Sequence, residues 1–395
     1  MATTTPDTGA RPAHGRAGVD RHAPEYAALL GCVRVDVPDA RLAQAFAAVR
    51  DWQALRDLSI TQGLLPLLYA RLTRAGRDVA PPDVVEDLRL ISQANAERSI
   101  RHSVALLRIL ASLEAEGVTA VPFKGPLLAD YAYGDVAMRY FQDLDLFVAH
   151  RQVEQACSLL GDLGFRAVYS GPLSARARAE EFHNILEGHG MILEVHWRTG
   201  PAYIPPLFCA EELMSRARPT SFLGQTVPTL DPSDLLLVLC VHGHAHRWPQ
   251  LEPVSVLARV LEKEEYGDPR TVLERARTRR CLRRCLVAFR LAERLAGATL
   301  PPEFAAAIGA DRRVEPLARK ASALIRSSDS IEDTRLVTTA WRALALDTAQ
   351  DTARLAVFQV FAPRGHGVAG RSSLVPESST PLDRIRYLGR SIWDR

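Results

Sequence analysis

Lysine is almost absent from this chain. Of 49 basic residues in 395, only Lys124, Lys263 and Lys320 are lysines, and the rest are arginines. With abundant alanine beside it, that bias points to a GC-rich bacterial genome. An excess of one charge is also missing. Forty-nine Lys and Arg against 46 Asp and Glu leave a formal net charge of +3. That is too small to argue for a nucleic-acid partner, and no basic stripe runs through the middle of the chain, so long nucleic acid is disfavoured. The six cysteines, at 32, 157, 209, 240, 281 and 285, contain no CxxC pair. They read as reduced, mostly buried thiols of a cytoplasmic protein. Cys281 and Cys285 share a helical face but have no histidine beside them, which makes a poor zinc site. Long apolar runs are lacking too: LLLVLCV at 235–241 is far short of the roughly 20 residues that cross a bilayer. Residues 1–23, rich in Thr, Pro, Gly and Ala, have no apolar segment of signal-peptide type and read as a disordered tail. No Ser-His-Asp or Cys-His triad can be assembled from spacing. The expectation is a soluble, cytoplasmic protein with no membrane partner.

What is present falls into three stretches. Residues 24–117 carry apolar residues at three- and four-residue spacing, as in ARLAQAFAAVRDWQALRDLSI, which predicts helices. PPDVVEDLRL opens a long helix, with proline at its start and acids in its first turn. At 118 the pattern changes. VTAVPF reads as a strand, KGPLLADYAY as a turn into a short helix, DLDLFV as a strand and VEQACSLLGDLG as a helix. FRAVYS reads as a further strand, and FHNILEGHGMILEVHW as a hairpin turning at GHG. Residues 118–204 are therefore a small α/β unit with a mixed sheet. From about 205 to 362 helical periodicity returns, with Asp231 or Ser233 capping DPSDLLLVLCVHGHAHRW. Residues 363–395 read as a flexible segment and a final helix.

The chemistry concentrates in FQDLDLFV at 141–148. Side chains alternate along a strand, so Asp143 and Asp145 share one face, roughly 7 Å apart from two rises of about 3.3 Å. Without a cation, two carboxylates that close repel and one pKa should rise, and oxygen ligands on a rigid strand suit Mg2+. In MILEVHW, Glu194 and His196 share a face, opposite Leu193, Val195 and Trp197. If that strand neighbours DLDLFV, three acids converge as in two-metal phosphoryl or nucleotidyl transfer. Upstream, Gly125 in FKGP lets backbone N–H groups approach an anion at a helix start, and Lys124 adds a point charge. Arg139 is a second candidate phosphate ligand. His242 and His246 share a helix face, but no further ligand accompanies them, so they read as structural histidines near a cleft, with contact between His246 and the substrate base as the alternative.

VPFKGPLLADYAYGDVAMRYFQDLDLFV, with LEVHW downstream, resembles the bacterial uncharacterised nucleotidyltransferase family of the polymerase-beta-like superfamily. DWQALRDLSITQGLLPLLYARL resembles its N-terminal helical segment. LLLVLCVHGHAHRWPQL resembles its H-G-x-x-H-x-W helix. The resemblance implies an α/β core of nucleotidyltransferase type at 118–204, flanked by a helical N-lobe at 24–117 and a helical C-lobe at 205–362. By match, Asp143, Asp145 and Glu194 take the catalytic and metal roles. Lys124, Gly125, Arg139 and His196 stand on the nucleotide side. Mg2+ or Mn2+ is the cofactor, and an NTP the substrate. The expected reaction moves a nucleoside monophosphate to a hydroxyl of a small molecule or a peptide, as in natural-product biosynthesis. The alternatives on the same scaffold are phosphoryl or glycosyl transfer from a nucleotide-linked donor, or a non-catalytic nucleotide- or partner-binding module. Two departures stand out. The superfamily's usual Gly-Ser or Gly-Gly turn is Lys-Gly here. After RWPQL, where the family shows an aromatic residue and then Asp, this chain has EPVSVLA, and that acid is expected to be missing.

Overall fold

The computed structural model describes residues 23–168, 182–200, 208–327 and 335–361. The tail expected at 1–23, apart from its last residue, and the segment and helix expected at 363–395 lie outside them. The N-terminal helices are α1 (Ala23–Val33), α2 (Asp39–Ala47), α3 (Trp52–Thr61), α4 (Leu65–Ala75) and the long α5 (Pro82–Ala115). Pro82 opens α5 with Asp83 in its first turn, as its sequence predicts. The sheet follows: β1 (Ala120–Pro122), α6 (Gly125–Tyr133), β2 (Asp143–Val148), α7 (Val153–Asp162), β3 (Arg166–Ala167), β4 (His183–Gly188) and β5 (Met191–His196). Its order is β1-β2-β5-β4-β3. β2 and β5 run parallel, and the other pairs are antiparallel. The chain is thus mostly helical around a small mixed five-stranded sheet.

Period-two alternation divides this sheet into two faces. Leu144, Leu146 and Val148 of β2, with Leu193 and Val195 of β5, pack on Leu106, Ile109, Leu110 and Leu113 of α5 and on Val153, Ala156 and Leu160 of α7. Burying each such side chain is worth about 1.5–3 kcal/mol, which pins the strand register, because a one-residue slip would turn the whole set outward. The opposite face carries Asp143, Asp145, Glu194 and His196.

Beyond β5 come α8 (Ala210–Ser215), β6 (Arg218–Phe222), β7 (Gln225–Thr229), α9 (Pro232–Ala245), α10 (Glu252–Glu262), α11 (Pro269–Thr278), α12 (Leu282–Ala296), α13 (Pro302–Ala310), α14 (Val314–Ser327), α15 (Arg335–Leu344) and α16 (Ala349–Phe361). The β6–β7 hairpin corrects the expectation of helix from about 205. Leu223 and Gly224 both have positive φ, 48° and 77°, the conformation of a tight hairpin turn. Phe222 and Val227 bury into the apolar face of the main sheet. Pro219 and Pro228, paired across the two strands, hide the strand signal, because proline inside a run reads as a strand breaker.

The helices before and after the sheet share one apolar core. Leu29, Phe46 and Leu68 belong to the same buried cluster as Leu236, Leu257 and Phe289, and Val121, Phe123 and Phe147 extend it to the sheet. Gln62 ties the two helical stretches together. Its amide donates to the Ile325 carbonyl at 2.9 Å and accepts from the Leu251 N–H at 2.8 Å.

Candidate active site

The site begins where β1 ends. Gly125 has φ +59°, and a Cβ there would lie 3.3 Å from Leu144 Cδ2 and 3.4 Å from the Asp143 carbonyl oxygen. Glycine is therefore needed both for the left-handed backbone and for the close passage beside β2. The turn starts α6 at once, so the helix N-terminus and Lys124 arrive together next to the acidic strand.

Parallel pairing sets Asp143 opposite Ile192, Asp145 opposite Glu194 and Phe147 opposite His196. Lys124 Nζ donates to Asp145 Oδ1 at 2.9 Å. His196 Nε2 lies 3.1 Å from that same oxygen and 3.1 Å from Glu194 Oε2. Both neighbours of Nε2 are carboxylates, so this nitrogen carries the proton. Phe123 and Phe147 stack at 4.2 Å and pack edge-on against the imidazole. His183 of β4 stacks on it at 5.0 Å.

Burial alone would raise the Asp145 carboxyl, but the Lys124 ammonium and the His196 hydrogen bond outweigh it and hold it well below its usual range. Burial likewise opposes the charge on Glu194, yet the bond from His196 keeps it low. Burial would lower His196, and its two carboxylate partners reverse that and raise it. Asp143 behaves differently. Burial and the Asp145 charge push its pKa up, the mutual repulsion that the D-x-D spacing predicts.

The sequence-predicted residues are not all brought together. Asp145, Glu194 and His196 each offer a ligand atom, all within 4.8 Å of one another, the one such group of three among the described residues. Asp143 shares their face but lies outside that group, and His196 holds the third position. Asp145 Oδ2 is buried and has no hydrogen-bond partner among the described residues. That orphaned oxygen beside a second carboxylate fits a divalent cation, and the imidazole would add a nitrogen donor, suiting Mn2+ as well as Mg2+, once its Nε2 proton is displaced. Arg139 is drawn elsewhere. It is buried in an ion pair with Glu252 at the start of α10, which differs from the free phosphate ligand expected of it. Glu252 directly follows RWPQL, as the first residue of EPVSVLA.

Helix α9 overlooks the acids. Asp231 caps it, accepting from the Ser233 N–H at 3.1 Å. The rings of His242 and His246 lie 4.4 Å apart. Burial, then the Lys124 charge, holds both below the ordinary histidine value, so they face the site as neutral rings. His244 turns away and stacks on Trp341 at 4.8 Å. Gly243 admits Trp248, whose ring would come within 2.4 Å of a Cβ at that position. Arg247 and Trp248 both have positive φ, 63° and 51°. Sequence reasoning missed this strained helix end, although the G-x-x-x-x-W spacing carried its signal. Cys281 and Cys285 lie 3.9 Å apart as buried thiols.

The sequence profile of the uncharacterised nucleotidyltransferase family matches residues 48–297, well over half of the chain. The chain belongs to this family. It is accordingly a nucleotidyltransferase, a transferase whose matched span takes in β1 to β5, the acids and α9. No curated protein matches it. Among solved structures, that of the antibiotic-resistance factor ANT(2'')-Ia is similar over 46% of this chain and 94% of its own, with 13% identity and a TM-score of 0.33. At that distance the likeness says nothing about the substrate. No helix among the described residues is long and apolar enough to cross a membrane.

Proposed function

We propose that this nucleotidyltransferase moves a nucleoside monophosphate from an NTP to a hydroxyl of a small-molecule or peptide acceptor. The observation that carries the reading is the register of β2 on β5. It sets Asp145 beside Glu194, with Lys124 and the Gly125 turn on the flank. The triphosphate docks at the N-terminus of α6, where free N–H groups and Lys124 favour negative charge. Asp145 and Glu194 would hold the divalent cation, His196 would join them only once the cation displaces its Nε2 proton, and Asp143, next along the strand, completes the acidic face. When bound, the cation neutralises phosphate charge and makes the acceptor hydroxyl more acidic. The hydroxyl oxygen bonds to the α-phosphorus. The bond from that phosphorus to the bridging oxygen breaks, pyrophosphate leaves with the electron pair, and Glu194 receives the hydroxyl proton. The division into N-lobe, core at 118–204 and C-lobe belongs to this reading, with Arg139–Glu252 fastening core to C-lobe.

Calorimetric titration of the four NTPs with Mg2+ or Mn2+ tests it. The expected result is metal-dependent binding of at least one NTP, weakened about tenfold or more in Asp145→Asn. Binding that ignores both the metal and Asp145 would sink the reading.

A further inference from the structure

One step along the strands from Asp145 a groove of about 610 Å³ opens to solvent. Arg98 and His102 of α5, Tyr140 and Gln142 before β2, Arg166 of β3 and Glu187 of β4 line it. Its floor is Ile192 of β5, 40% exposed, in register with Asp143 on one side and Glu187 on the other. The groove is thus continuous with the acidic face.

Arg139, Arg216 and Arg275 are all paired with acids. Neither Arg98 nor Arg166 forms an ion pair among the described residues, although Glu187 stands opposite Arg166 in the strand register. The Arg98 guanidinium lies 4.4 Å over the Tyr140 ring and donates to Asn95 Oδ1 at 3.2 Å. Burial presses its pKa down, the neighbouring Arg101 charge adds to that, and Asp143 lies within electrostatic reach. Two guanidinium groups without carboxylate partners on one groove make a receptor for a carboxylate or phosphate group.

Position adds a second argument. The Lys124–Gly125 turn flanks β2 from the β1 side, and the groove extends the other way, past β5 to β4 and β3. In-line displacement places the attacking and leaving oxygens on opposite sides of the phosphorus. With the triphosphate on the turn, an acceptor enters from the groove.

We propose that this groove is the acceptor site, and that it takes a hydroxyl-bearing small molecule with a carboxylate or phosphate group held by Arg98 and Arg166. The inference rests on the nucleotidyltransferase reading of the acids. It disfavours cationic acceptors such as amino sugars.

The test is calorimetric titration of the full chain, without metal or NTP. Malate and glucose 6-phosphate serve as anionic hydroxyl probes and glucosamine as the cationic one. At least one anion is expected to bind saturably, about tenfold or more weakly in Arg98→Gln/Arg166→Gln, and glucosamine not at all. Arg166→Gln alone, on an exposed strand, gives the same direction should the double variant fail to fold. Preference for glucosamine, no saturable anion binding, or anion binding indifferent to both arginines overturns the proposal. The two readings fail separately. Anion binding at the arginines with no NTP binding sinks the nucleotide reading. NTP binding without arginine-dependent anion binding sinks the acceptor site.

Discussion

Leu144 and Asp145 are neighbours in sequence and solve different problems. One side of β2 and β5 is a dry layer of Leu144, Leu146, Leu193 and Val195 closed by α5 and α7. The other is a network of Lys124, Asp145, Glu194 and His196 that is nearly as buried but polar. The apolar layer stabilises by burial without directional demands. The polar layer holds ions out of water and is stable only while each charge keeps its partner. A fold that needed stability alone would fill both faces with aliphatic side chains.

The largest effect should come from separating these two purposes. Asp145→Leu leaves the Lys124 ammonium buried without its carboxylate and should destabilise by about 3–5 kcal/mol, and Lys124→Met, which leaves Asp145 with His196 alone, should act in the same direction. The double substitution should recover most of that loss, since two aliphatic chains of similar volume suit a buried site. Nucleotide turnover should nevertheless stay about a thousandfold down or more in all three variants. Urea midpoints and pyrophosphate release on the same four proteins check this. A double variant as unstable as the singles would mean that the face cannot repack. Turnover surviving in the double variant would mean that the acids are structural.

The apolar face should show the converse. Leu193 is fully buried, and Leu193→Ala should cost about 2–5 kcal/mol by creating a cavity. Asp145, Glu194 and Lys124 remain paired in that variant. NTP affinity measured well below its lowered Tm should therefore stay within about twofold of wild type. A tenfold loss of affinity under those conditions would show that the two faces are coupled through the strands.

This division was legible in the sequence where period and chemistry agree. LDLFV and LEVHW place acids and leucines on opposite faces by alternation alone, and FKGP marks the turn by a glycine that proves to have positive φ. What stayed hidden depends on contacts between distant segments. Nothing local to Arg139 shows that it meets Glu252, 113 residues on. His196 could be placed on the Glu194 face, but that it bridges both carboxylates follows from the parallel pairing of β2 with β5. The β6–β7 hairpin was obscured by its two prolines. The groove beside Asp143 gathers residues from α5, β3 and the β4–β5 hairpin, and no motif joins them.

The smallest expected effect is a matter of slope. Substitutions on the apolar face should shift the stability–pH curve without changing its shape, because no proton is bound there. On the polar face the curve should bend. Burial pushes His183 down to about 4, with His196 adding to it. An unfolded histidine binds its proton near pH 6.5. Between those values the unfolded chain holds a proton that the folded one does not, so stability falls as pH drops from about 6.5 toward 4. His102, His242, His244 and His246 are lowered as well and act in the same sense. His196 is raised, so its contribution is fully present below about 6.5 and is lost as pH rises through its folded value. Asp145 is lowered. Its contribution is present above the ordinary carboxylate value, about 3.9, and is lost only as pH falls below that. His183→Gln should therefore flatten the limb between pH 6.5 and 4 by at most one proton and leave the alkaline limb alone. Leu193→Ala should change neither slope. Urea midpoints in steps of pH on these two variants decide it. An unchanged acid limb in His183→Gln would mean that His183 titrates in the folded chain as it does in water, and that this part of the polar face is wetter than its packing implies.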